Sequence, residues 1–156
     1  MSEHTIHIIG DGHDEAATVI ATFRDRMCHV SLRHCDRHIE AVAFDFFEAF
    51  SEVRLQLESE HLTPVCYGSS LNVFPSGMCR DMGSGLSAYR LTLGRKPSGD
   101  DIVGIFDSGP DVIPVSVADQ KKHFWRWLRS TSSFRYVLLS ISRLLFDRGS
   151  TNDTVA

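Results

Sequence analysis

The chain has no hydrophobic run long enough to cross a bilayer. Its longest strongly apolar stretch, residues 136–146, is broken by Ser140, Ser142 and Arg143, and a spanning helix needs about 20 apolar residues. No basic-then-apolar leader precedes a small-residue cleavage site, which disfavours a Sec signal peptide. Cysteine is sparse: Cys28, Cys35, Cys66 and Cys79 form no regular framework, and a domain of this size needs no bridges. Free thiols in a reducing, cytoplasmic setting are therefore expected. There is no G-x-S-x-G elbow, no strand–GxGxxG–helix or Walker pattern, and no internal repeat. Each missing signature removes the sequence basis for a hydrolase, a nucleotide enzyme or a solenoid.

What is present describes one globular domain. The 156 residues are 42% hydrophobic and 23% charged, enough to bury a core. The net charge of −4 hides an asymmetry: residues 1–120 are strongly acidic, whereas seven of the sixteen basic residues lie within 121–148. Such a distribution bears on association rather than on fold.

Periodicity predicts the elements. Ile6 and Ile8 alternate in a strand over 3–9, ended by a turn at Asp11-Gly12. Ala16, Val19, Ile20, Phe23 and Met27 recur at helical spacing and predict a first helix over 14–27. Residues 28–33 read as a strand. A long second helix is expected from an Asp36 N-cap through Ile39, Val42, Ala43, Phe46, Phe50, Val53 and Leu57. Residues 62–67 and 71–74 read as a strand pair turning at Gly68-Ser69-Ser70, with Pro64 placing the first at a sheet edge. A helical turn at 78–82, strands at 87–93 and 102–106, and two helices, 117–129 capped by Ser116 and 134–146, complete the chain. This mixture without βαβ alternation predicts a single α+β domain. The expected form is a small, mostly antiparallel sheet packed by a long acidic amphipathic helix and two C-terminal helices. It spans 1–148, with 131–148 a helical extension and 149–156 a flexible tail.

The candidate chemistry is thin. Gly12-His13-Asp14-Glu15, with His7 and Asp11, suggests a metal site, but acids opening a helix are favoured by its dipole alone. Cys28-His29 and His34-Cys35-x-x-His38 offer five ligands whose spacing fits neither a knuckle nor a finger, and no downstream pair completes four. No metal or cofactor is expected. Ser76 and Ser84 sit in tight turns, with His61 and His123 as remote bases, and Cys79 neighbours Arg80. Packing is the plainer reading of each. Gly83-Ser84-Gly85 with Arg80 has the composition of an anion loop, but a strand follows it rather than a helix. A glycine-permitted clasp anchored by Met78, Met82 and Tyr89 fits better. Ser76, Arg80, Asp81 and Tyr89 remain the residues of a possible ligand turn. On the predicted second helix Asp45, Glu48 and Glu52 form an acidic ridge opposed only by Arg54. Residues 97–119 add Asp100, Asp101, Asp107 and Asp111 with no Lys or Arg. The basic C-terminal region suits packing on the acidic body or a dimer better than nucleic acid.

One resemblance stands out. Val73-Phe74-Pro75-Ser76-Gly77-Met78, Arg80-Asp81-Met82-Gly83-x-Gly85 and Ala88-Tyr89, then Ile102 to Asp107 and Gln120…Trp127-Leu128, resemble a group of small uncharacterised bacterial cytoplasmic proteins. Some of these are encoded beside polymorphic toxin genes. The resemblance covers about residues 3–130 and brings no catalytic residue. It implies an immunity-type protein that neutralises a cognate, basic toxin through acidic surface complementarity, with Asp45, Glu48, Glu52, Asp100, Asp101, Asp107 and Asp111 as steering residues. The alternative is a small-ligand protein or enzyme using the turn at 75–85. A homodimer stays open.

Overall fold

A computed structural model describes residues 1–131. The helix expected at 134–146 and the tail lie outside them. Four strands come first: β1 (Ser2–Gly10), β2 (His13–Arg24), β3 (Met27–His34) and β4 (Arg37–Ala43). They form an antiparallel meander, and β5 (Thr63–Val65) pairs with the free side of β1, giving the order β4-β3-β2-β1-β5. Pro64 does lie in an edge strand. The helix α1 (Phe46–Glu58) covers one face of this sheet. A second antiparallel sheet, β6 (Val73–Phe74), β7 (Ser87–Arg90) and β8 (Ile102–Gly104), carries α2 (Gly77–Gly83) between its first two strands. The helix α3 (Val117–Ser130) follows, capped by Ser116 as expected. The α+β class is that read from the sequence.

Two predicted helices are corrected. Residues 13–24 are strand because the same stretch also alternates: Ala17, Val19 and Ala21 face the core and are almost fully buried. Its Thr18-Val19-Ile20 run is β-branched and suits a pleated surface. Asp25 and Arg26 both take positive φ (53° and 62°), the geometry of a two-residue hairpin turn that follows strand twist. The second helix starts nine residues late. Asp36 lies in the β3–β4 turn, residues 37–43 are strand, and Asp45 is the N-cap. Nor do residues 62–67 and 71–74 form a hairpin: a 3-10 turn at Tyr67–Ser69 carries the chain from one sheet to the other.

The core is formed by Ile6, Ile8, Val19, Val30 and Leu32 from the large sheet, against Phe50, Val53 and Leu57 of α1. Phe106 joins the small sheet to it, its ring edge-on to Phe50 at 5.1 Å between centroids. Arg54 does not oppose the acids of α1. It points inward and is fully buried, where Nη1 donates to the Gly68 carbonyl (2.9 Å) and Gln120 Oε1 (2.5 Å), and Nη2 to the Val115 carbonyl (2.8 Å). Gln120 Nε2 in turn donates to the carbonyls of Gly68, Ser70 and Val73. Burial without a carboxylate at its tip lowers the Arg54 pKa to about 10. The pair satisfies carbonyls of the Gly68–Ser70 turn, of Val115 and of the β6 residue Val73, and so locks α3 onto α1.

Candidate functional site: the cleft between α1, α2 and α3

The α1 N-terminus and the glycine-rich turn are built around one carboxylate. Asp45 Oδ1 accepts the Glu48 N–H (2.8 Å), and Oδ2 accepts from Arg80 Nη1 (3.0 Å). The loop after α2 closes over this group: the Phe46 N–H donates to the Ser84 carbonyl (2.7 Å). Gly85 has φ +74°, and a Cβ there would stand 2.8 Å from Asp45 Oδ1. Only glycine meets both demands. Asp45 is 4% exposed, so it is a capping residue beneath the surface and not part of an open ridge.

Arg80 lies above two aromatic rings, its guanidinium carbon 5.9 Å from the Phe47 centroid and 5.7 Å from that of Phe74, within reach of cation–π attraction. Phe74 stacks on Phe124 at 4.1 Å, and Phe124 packs against Trp127. Over this floor lies a shallow cleft of about 120 Å³, lined by Phe47, Glu48, Ser51, Glu52, Arg80 and Lys121 among others. That is small beside the roughly 300–1,000 Å³ of typical ligand pockets. Glu48 and Glu52 are exposed on the α1 rim, and neither has an ion pair among the described residues.

The remaining predicted acids divide. Asp101 accepts the Ser98 N–H (2.8 Å) and Arg95 Nη2 (2.7 Å), which hold its carboxyl down to about 2. Asp111 accepts the Tyr67 hydroxyl (2.7 Å) and Arg90 Nη1 (3.1 Å), and both lower its pKa. Asp101 is spent on its own loop, and Asp111 ties its loop to the 3-10 turn and β7. Asp100 and Asp107 are exposed. The other acids near the ridge are used elsewhere: Glu58 Oε1 accepts the Val117 N–H at the start of α3, and Glu60 pairs with Arg37.

The residues of the ligand turn do not converge. Ser76 caps α2, its hydroxyl accepting the Cys79 N–H (3.2 Å), Arg80 turns to Asp45, Asp81 is exposed, and Tyr89 lies on β7. The N–H groups of Gly85 and Leu86 donate to the Cys79 and Gly83 carbonyls, so they are not aimed at an anion. Met78 and Met82 do not anchor the loop. They are 63% and 82% exposed, and Phe44, at 82%, stands beside the N-cap that binds the same loop. Sequence reading missed Phe44, though an aromatic residue just before a capping aspartate was the available signal.

Of the five ligands in 28–38, Cys28, His29 and His38 point apart, while His34 and Cys35 stay together. Cys28 is buried under α1 while His29 faces the other side of the sheet, and His38 Nε2 hydrogen-bonds Ser31. That nitrogen also lies 3.3 Å from Glu40, so serine and acid meet the same ring atom and form no relay. His123 lies in a separate hollow, its pKa lowered by burial and by Arg126. Lys121, Lys122, Arg126 and Arg129 are exposed on α3. Among the described residues none of them pairs with a carboxylate, so α3 packs on α1 through Gln120 and its apolar side and not through its basic residues.

No protein-family model matches the chain. No curated protein matches it either.

Proposed function

We propose that this protein is a non-catalytic docking module of the immunity type, which neutralises a basic toxin domain by covering it with the α1–α2 surface. The observation that carries this reading is the pair of exposed, unpaired acids Glu48 and Glu52 beside the exposed apolar side chains of Phe44, Met78 and Met82. Acids on a rim steer a cationic partner and set its orientation. Large apolar side chains that water gains nothing by touching supply the anchors. The buried Asp45–Arg80 contact and the aromatic floor hold this surface rigid, which keeps the entropic cost of docking low. The cleft, at about 120 Å³, lacks the volume of a metabolite site, which weighs against the ligand alternative.

The test is co-expression with the basic toxin domain found bound to the tagged protein in its native host. The wild-type chain should form a stoichiometric complex and abolish the toxin's activity. Phe44→Ala combined with Met82→Ala should lose at least tenfold in affinity while keeping the fold. A toxin inhibited equally by that variant would remove the α1–α2 surface from the account.

A second reading rests on α3. Lys122, Arg126 and Arg129 share an exposed face with Trp125, which is 52% exposed, a combination that suits phosphates and bases. Titration with single-stranded and duplex nucleic acid at rising salt separates the two. Salt-dependent binding lost in Arg126→Glu would favour this second reading.

A further inference from the structure

Two groups of metal-ligating residues stand apart in the sequence, and neither completes a site alone. The sheet joins them. The pairing of β2 with β3 brings Glu15, near the start of β2, beside His34, the last residue of β3, and Cys35 in the turn that follows. Glu15 Oε2 lies 2.7 Å from Cys35 Sγ and 3.5 Å from His34 Nε2, and that nitrogen lies 3.8 Å from the sulfur. The three donor atoms form a small triangle at the open end of the sheet, away from the α1–α2 cleft.

We propose that Glu15, His34 and Cys35 bind one divalent transition-metal ion of the zinc class. The donor set of imidazole, thiolate and carboxylate matches that borderline-soft ion, and three protein ligands leave a fourth position for water. Bonds of about 2.0–2.3 Å in a tetrahedral shell put neighbouring donors roughly 3.3–3.6 Å apart. The two edges at His34 are already close to that. The Glu15–Cys35 edge is shorter because the thiol donates its proton to the carboxylate. An ion entering the triangle takes the place of that proton, which leaves to solvent, and the edge opens by about 0.9 Å. Rotation of Glu15 supplies the opening, since its side chain is 47% exposed. His34 cannot move as far: its side chain is 3% exposed and sits on the packed face of the sheet, a rigid base for a site. The nearby cation Arg37 is engaged by Glu60 and so competes little with an ion.

The tag-free, reduced full chain is titrated with Zn²⁺ against a chromophoric chelator, and with Co²⁺ as a spectroscopic stand-in. One equivalent should bind, and Co²⁺ should give a thiolate charge-transfer band with the intense visible bands of a tetrahedral site. Zn²⁺ at a hundredfold excess over its Kd should raise Tm by about 5–10 °C and protect Cys35 from alkylation. Cys35→Ser should lose the charge-transfer band and at least tenfold in affinity, and Glu15→Gln about tenfold. Both sit at exposed positions, and circular dichroism should show the fold intact. The absence of a thiolate band in the wild-type chain would overturn the site. So would wild-type affinity retained in both variants, since binding would then lie at other histidines. Neither result depends on the docking reading, whose residues lie at the other end of α1.

Discussion

Asp45→Ala removes two interactions that the structure places on one buried carboxylate. The capping hydrogen bond to the Glu48 N–H is worth about 1 kcal/mol, within a range of roughly 0.5–2. The pair with Arg80, whose side chain is 34% exposed, is partly screened and adds about 0–1 kcal/mol. The sum, about 1–2 kcal/mol, should lower Tm by roughly 2–8 °C for a chain of this size. Asp45→Asn is the control. Its amide oxygen caps as well as a carboxylate, while its NH2 cannot accept from Arg80, so the Arg80 contact alone is lost and the drop should be about 0–4 °C. Scanning calorimetry at neutral pH on the three proteins reads both numbers. An alanine variant within about 0.5 kcal/mol of wild type would refute the reasoning. An asparagine variant as damaged as the alanine one would refute the capping half of it.

Three further perturbations test the frame. Arg54→Met should cost about 3–5 kcal/mol, because the carbonyls of Gly68 and Val115 lose a buried donor; urea unfolding measures it, and a loss under 1 kcal/mol would show that the hub contributes little. Gly85→Ala should destabilise by about 1–3 kcal/mol, from a left-handed φ and a clash with Asp45, with Gly77→Ala, whose Cβ would meet open space, as the milder comparison. Asp101 has its pKa depressed to about 2 from an ordinary value of 3.8. Its stabilisation is therefore full above that ordinary value and fades as pH falls toward 2. Asp101→Asn should flatten the fall of Tm between pH 5 and 2, and an unchanged acid limb would dismiss the Ser98–Arg95 contacts as a source of acid sensitivity.

The parts of the fold legible in the sequence were those with one physical reading. Ser116 before α3 and Pro64 in an edge strand each follow from a local rule of capping or hydrogen bonding. The strand β2 was hidden because alanine, valine and isoleucine fall at both periods in residues 16–21, and its turn uses Asp25-Arg26 rather than a glycine. The start of α1 was hidden because apolar residues continue at three- and four-residue intervals through the end of β4, so that Asp36 was the more visible cap. For the site, charge type was legible and burial was not. Asp45, Glu48 and Glu52 look alike along a helix, yet the first is sealed by the loop at Gly85 while the others face water. Asp101 and Asp111 likewise gave no sign of the arginines that neutralise them, since the Arg95 contact depends on the path of its loop and Arg90 reaches Asp111 only through the folded small sheet. The contact of Glu15 with His34 and Cys35 depends on strand register, which no spacing along the chain reveals.

The central claim is that an acidic, partly apolar surface on α1 and α2 receives a basic protein. The most direct test is the affinity of the native-host partner for wild type and for Glu48→Lys/Glu52→Lys, followed by isothermal titration as ionic strength rises from about 0.01 to 0.15 M, across which the screening length falls from about 30 to 8 Å. The account predicts that wild-type affinity falls steeply with salt, that the charge-reversed protein binds at least tenfold more weakly at low salt, and that Asp45→Asn, altered beneath the surface, binds as wild type does. Equal, salt-insensitive affinity in wild type and the reversed variant would contradict it.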